Sequence, residues 1–240
     1  MREDPDSRFM PPASGPGPVT DDPNYPHYGY VEGTNIGTTP HIAELSNPIL
    51  KPWAAQVLAN NNKAALSGQD VDTTYAMCRP LGVPLVAALR RRMQILQPAK
   101  GGEVTFLYEY DAQTRHIYLT DGHSANITPS WYGESVGHYE GDTLVVDTVG
   151  QNQRTAVDRY GTPHTEALHI VERYRLANDG KILENIFMVE DAKTFNMPWT
   201  AIVRWKRADA EGPFEESRCA ENPRMEDGQR FAPEAEKGGF

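Results

Sequence analysis

A chain of 240 residues with 33 acidic and 23 basic side chains, formal net charge −10, makes a poor partner for nucleic acid, whose binding requires a basic patch that displaces counterions from phosphates. No stretch approaches the roughly 18 consecutive apolar residues of a membrane-spanning helix, so a membrane partner is not expected either. This length suits one all-β barrel or sandwich, without a second domain.

The first 48 residues are dense in Pro, Gly, Asp and Asn, including Pro11-Pro12, Gly15-Pro16-Gly17-Pro18 and Asp21-Asp22-Pro23. Such a segment buries too little apolar area to offset its ordering entropy alone. It reads as an extended arm, residues 1–48, lying on the surface of a single domain over residues 49–207. Met1-Arg2-Glu3-Asp4-Pro5 lacks the apolar run of a secretory signal. Cytoplasmic and mature periplasmic locations both stay open.

Asn47-Pro48 and Lys51-Pro52 lead into Trp53-Ala-Ala-Gln-Val-Leu-Ala, good helix formers ending near Ser67-Gly68, which predicts a helix from about Pro52 to Leu66. Val83 to Arg91 predicts a second short helical turn entered through Pro84, and its Arg90-Arg91-Arg92 run reads as a solvated face. From Met93 the hydrophobic period becomes two. Eight strands are predicted near 93–97, 103–110, 116–120, 135–139, 143–149, 167–177, 182–190 and 200–206.

Asp111-Ala-Gln-Thr114, Glu140-Gly141-Asp142 and Asn178-Asp179-Gly180 carry hairpin chemistry, because Asn, Asp and Gly tolerate positive φ. Successive hairpins predict an antiparallel meander, and closing it into a barrel removes exposed edges. The fold expected is therefore all-β, with one or two short N-terminal helices and about eight strands in a lipocalin-like or calycin-like barrel. A two-sheet sandwich is the alternative. The remainder, residues 208–240, reads as a polar tail wrapping the surface. Cys78 and Cys219 are the two cysteines. A bridge between them would contribute about 2–4 kcal/mol in an exported protein, whereas cytosolic residence would leave two thiols.

Five of the seven histidines fall between Arg115 and Tyr174, which makes that segment the candidate site. If Gly161–Glu172 is extended, His164 and Glu166 share a face and form a dyad, while His169 points away. A carboxylate beside an imidazole fixes its tautomer and raises its basicity, as acid–base catalysis requires. Asp121-Gly122-His123 directly follows a strand and suits a barrel mouth, and His138 sits on a strand with Val136. The catalytic candidates are His123, His164, Glu166, His169, Asp121 and His138. Tyr118, Trp131, Tyr132, Tyr139, Phe195 and Trp199 are candidate walls for a ring-shaped ligand. The histidine spacing matches no metal-ligand template, so no metal or other cofactor is expected.

Arg115-His-Ile-Tyr118, Asp121-Gly122, Gly133-Glu-Ser135-Val-Gly-His138-Tyr-Glu-Gly-Asp-Thr-Leu-Val-Val-Asp147-Thr, Pro163-His164-Thr-Glu166, His169 and Glu172-Arg173-Tyr174 resemble a large family of often exported bacterial proteins. Cys78-Arg-Pro-Leu-Gly82 and Cys219-Ala-Glu-Asn222 extend the resemblance over residues 75–224. The chain departs from that pattern at Tyr139 for Trp, Gln151 for Phe and His123 for Arg. The resemblance implies a bacterial, cofactor-independent lyase that removes a hydroxymethyl group as formaldehyde from lignin-derived aromatic dimers. A small aromatic substrate is then the expected partner, with a homodimer left open. The alternatives are a lipocalin-like carrier of an apolar ligand and a metal-assisted hydrolase.

Overall fold

The computed structural model describes residues 2–3, 9–27, 40–69, 78–88, 91–208, 212–214 and 216. Its frame is one sheet of nine strands: β1 (Arg2–Glu3), β2 (Met93–Leu96), β3 (Glu103–Tyr108), β4 (Thr114–Tyr118), β5 (Glu134–Glu140), β6 (Thr143–Val149), β7 (His169–Ala177), β8 (Ile182–Glu190) and β9 (Trp199–Lys206). Their spatial order is β1-β9-β8-β7-β6-β5-β4-β3-β2. All eight predicted strands are present. The sheet curls into a half-barrel, and no described strand pairing joins β1 to β2, so the expected closure into a complete barrel is replaced by an open, curled sheet.

The turns work as their residues demand. Asn178, Asp179 and Gly180 take φ of 52°, 54° and 77°, and Asp111 takes 51°. One connection departs from the meander: β4 and β5 run parallel and share only two register pairs, Ile117 with Ser135 and Tyr118 with Val136. Parallel neighbours cannot be joined by a tight hairpin and need a long crossover, here residues 119–133. Gly133 ends that crossover at φ +64°, where a Cβ would stand 2.2 Å from the Val149 carbonyl oxygen.

Strand alternation places Val104, Phe106, Ile117, Val146, Ile170, Tyr174, Phe187, Val203 and Trp205 in the buried core. The concave face also carries a fully buried ion pair. Arg115 Nη2 donates to Glu172 Oε2 at 2.5 Å and to Thr148 Oγ1 at 2.8 Å, while Arg115 Nε donates to Ser135 Oγ at 3.1 Å. Glu172 Oε1 accepts from Tyr174 Oη at 2.6 Å and Asn185 Nδ2 at 3.1 Å.

The helix α1 spans Pro52–Leu66, with Pro52 at its start and Ala54 and Leu58, one turn apart, as its buried residues. The second helical segment shortens to a 3-10 turn, Leu85–Ala88, entered through a cis Val83–Pro84 bond. Arg92, read as solvated, instead pairs with the buried Glu109. The described part of the arm is mostly exposed or half-buried, but it anchors a few side chains in the core. Val19, Ile42 and Ala43 are buried, and Phe9 packs edge-on against Phe187 at 4.9 Å. The arm doubles back on itself, with Asp22 N donating to Ile42 O and Glu44 N to Thr20 O. Cys78 is disulfide-bonded; Cys219 and most of the predicted tail lie outside the described residues.

Candidate functional site

The structure divides the sequence-predicted residues among separate places. His123 and His169 meet on the convex face of the sheet through Asp147, a residue of the predicted strand 143–149 that the sequence reading did not single out. His123 Nε2 lies 3.0 Å and His169 Nε2 3.1 Å from the same Asp147 Oδ1. His123 Nδ1 faces Glu134 Oε1 at 3.1 Å, and His169 Nδ1 lies 3.7 Å from Glu190 Oε2. The Ser124 hydroxyl and amide both donate to Glu134, and these bonds, followed by His123, hold its carboxyl below the usual range. Both ring nitrogens of His123 thus face carboxylate oxygens, leaving neither open to a substrate. This chain of contacts pins the 119–133 crossover to the sheet.

The expected His164–Glu166 dyad does not form. The segment before β7 is a turn, not a strand; His164 is buried with Nε2 2.6 Å from Thr155 Oγ1 and Nδ1 2.9 Å from the Thr165 carbonyl, while Glu166 is exposed. Burial lowers the His164 pKa. His138 is exposed beside Glu140 at 3.2 Å, and Asp121 is exposed in the crossover. The aromatic candidates scatter as well. Tyr118 and Tyr139 are exposed, Phe195 and Trp199 pack together in the core, and Trp131 stacks under the Arg154 guanidinium. Tyr132 alone reaches a buried polar cluster, donating to Gln113 Oε1.

The cavity with convergent polar groups lies elsewhere, between the arm and residues 158–160. Its volume is about 300 Å³. Phe9, Met10, Pro11, Val19 and Ala88 supply apolar walls, and Asp21, His27, His41, Asp158, Arg159 and Tyr160 supply the polar ones. The helix α1 fixes both sides: the Asn62 side chain bonds the Ala43 amide and carbonyl at 2.8 and 2.9 Å, and Asn61 donates to the Tyr160 carbonyl at 3.1 Å.

Within the cavity, His41 Nδ1 faces Asp21 Oδ1 at 3.4 Å, and Tyr160 Oη donates to the same oxygen at 3.1 Å. The His27 ring stacks on His41 at 3.7 Å between centroids. Burial, followed by the nearby charges of His27 and Arg159, pushes the His41 pKa down to about 4 against the opposing pull of Asp21. His41 is therefore neutral at neutral pH. Burial also raises Asp158 to about 6, although Thr162 and the Tyr160 amide donate to it.

Sequence reasoning missed Asp21, His27, His41 and Tyr160 as a group. The available signal was that the two histidines outside the Arg115–Tyr174 segment both lie in the arm. Among the described residues, no group of three or more His, Cys, Asp or Glu side chains is arranged to hold a metal ion. No described helix is long and apolar enough to cross a membrane. The chain matches no protein-family model, no curated protein and no solved structure.

Proposed function

We propose that the protein is a cofactor-independent lyase working by general acid–base catalysis on a small aromatic substrate, with Asp21 and His41 as its proton-transfer centre. The observation that supports this reading is a neutral imidazole, oriented by a carboxylate, in a cavity of about 300 Å³ with one apolar side. That volume sits at the lower end of the range for small-molecule sites, about 300–1,000 Å³. Perturbed titratable groups in a concave site are the usual mark of catalytic chemistry.

The motif resemblance supplies the substrate class, phenolic dimers that carry a hydroxymethyl group. In the reaction, His41 takes the proton of the primary hydroxyl. The carbon–carbon bond then breaks to release formaldehyde, its electron pair forms a new carbon–carbon double bond, and the benzylic carbon–oxygen bond breaks to expel a phenoxide. The Arg159 guanidinium balances that negative charge, and the proton held on His41 finally neutralises it. In this reading the proton-transfer role passes from His123, His164 and His169 to a histidine of the arm.

The test is incubation with phenolic dimers while assaying formaldehyde. His41→Asn should lower turnover by about 10²- to 10⁴-fold, the usual contribution of a positioned acid–base group, whereas His138→Asn should leave it unchanged. No formaldehyde from any dimer that binds the cavity would remove the lyase reading. Retained turnover in the His41 variant would remove the assignment of the base.

A further inference from the structure

The proton-transfer cavity holds two opposed demands. A carboxylate beside an imidazole favours the charged ring, yet a general base must start the reaction neutral. His41 Nδ1 faces Asp21 Oδ1 at 3.4 Å, and burial, followed by the charges of His27 and Arg159, opposes protonation of the ring. A further group bears on the same oxygen. The Tyr160 hydroxyl donates to Asp21 Oδ1 at 3.1 Å, closer than the histidine stands.

Tyr160 is held for that contact by several independent interactions. Its amide donates to the buried Asp158 Oδ1 at 2.9 Å, and its carbonyl accepts from Asn61 Nδ2 of α1 at 3.1 Å. Its ring stands edge-on to the His41 ring, with centroids 5.8 Å apart and planes at 86°. Asn62, the next residue of α1, bonds both the amide and the carbonyl of Ala43, two positions beyond His41. One helix thus ties down the chain on both sides of the shared carboxylate.

We propose that Tyr160 is a positioning residue for proton transfer: by donating to the Asp21 oxygen that faces His41, it lets Asp21 orient the imidazole without drawing a proton onto it. The hydroxyl takes up part of the oxygen's capacity to accept, so the ring keeps one unprotonated nitrogen for the substrate. The catalytic meaning of this role rests on the lyase reading, whereas the effect of Tyr160 on His41 belongs to the cavity itself. Removing the hydroxyl leaves Asp21 to His41 and strengthens its pull on the ring proton. His27 from the arm, and Asp158 and Arg159 from the turn, are the other titratable and charged groups of the cavity. All three remain in a Tyr160→Phe variant.

The test follows the histidine ring resonances of the full chain by NMR through a pH titration, with His41 assigned by the signal missing from His41→Asn. The wild-type midpoint is expected near pH 4. Tyr160→Phe should move it up by about 0.4 to 1.1 pH units, the worth of one hydrogen bond. The acid limb of kcat/KM for formaldehyde release should rise with it. 3-Fluorotyrosine placed at position 160, a stronger donor of nearly the same shape, should move both downward. An unmoved midpoint in Tyr160→Phe, or shifts of the same sign in the two variants, would overturn the proposal. Lost turnover with the midpoint and the acid limb in place would also overturn it, since that is the mark of a merely structural role. If the wild-type protein releases no formaldehyde, the lyase reading falls and the NMR midpoints still decide the role of Tyr160. If Tyr160→Phe does not fold, the 3-fluorotyrosine protein decides by the sign of its shift.

Discussion

At the scale of single residues, two buried titratable groups in one cavity respond to pH with opposite signs. His41 has a pKa of about 4 in the folded protein against an ordinary 6.5, so between those values the unfolded chain binds the extra proton. Stability therefore falls as pH drops from about 6.5 to 4. Asp158 is raised from 3.8 to about 6. Over that window the folded protein binds the extra proton, and this group adds stability as pH falls. His41→Asn should flatten the first slope and Asp158→Asn the second, which urea denaturation at a series of pH values reads directly. If the two variants shift the pH profile in the same direction, the reading of the cavity is wrong. The same His41 value places the acid limb of kcat/KM near pH 4; a limb near 6.5 would implicate a different histidine.

At the scale of elements, the seam between β4 and β5 sets what the sheet can do. Arg115 on β4 reaches Ser135 on β5, Thr148 on β6 and Glu172 on β7, so one side chain ties four strands together across a seam of only two register pairs. Removing one member of a buried pair leaves the other charge uncompensated, and Glu172→Leu should cost about 3–5 kcal/mol in a urea titration. Gly133→Ala strikes the same seam from its other end. Its φ of +64° and the Val149 oxygen 2.2 Å from a new Cβ predict a loss of at least about 1–2 kcal/mol from backbone strain alone. A neutral outcome would mean that the crossover relaxes freely.

These elements also mark where local sequence stops informing. Strands such as Ile182–Glu190 and the helix Pro52–Leu66 are legible because period, proline placement and turn residues are local signals. The β4–β5 pairing has no such signal, since a parallel neighbour is chosen by the whole sheet. His123 and Asp147, 24 positions apart, likewise meet through register that spacing alone does not reveal. The alternation that set Arg115, Ser135, Thr148 and Glu172 on one face and Glu134, Asp147 and His169 on the other was readable in principle. What hid it was treating the whole motif string as one site.

At the scale of the molecule, the arm is the part whose role changes most. A half-barrel leaves its concave face open, and that face carries Phe187, Ala201, Val203 and Trp205, each no more than 2% exposed. The arm sets Phe9 against Phe187 on that face, and along the edge of β9 Met10 bonds both ways to the Ile202 backbone and Pro16 accepts from Thr200. The Pro- and Gly-rich composition fits this task, because a chain already restricted by proline loses less entropy when laid along a fixed surface. The same residues carry Asp21, His27 and His41, so the cover and the proposed catalytic wall are one segment. Deleting residues 1–48 should therefore do more than abolish turnover. The exposed apolar face should drive association, read by size-exclusion chromatography, and the near-ultraviolet circular dichroism of the buried tryptophans Trp199 and Trp205 should collapse. A monomeric truncation with native melting and an intact tryptophan signal would show that the sheet stands without its arm. The proton-transfer centre would then be an attachment to the fold and not part of its core.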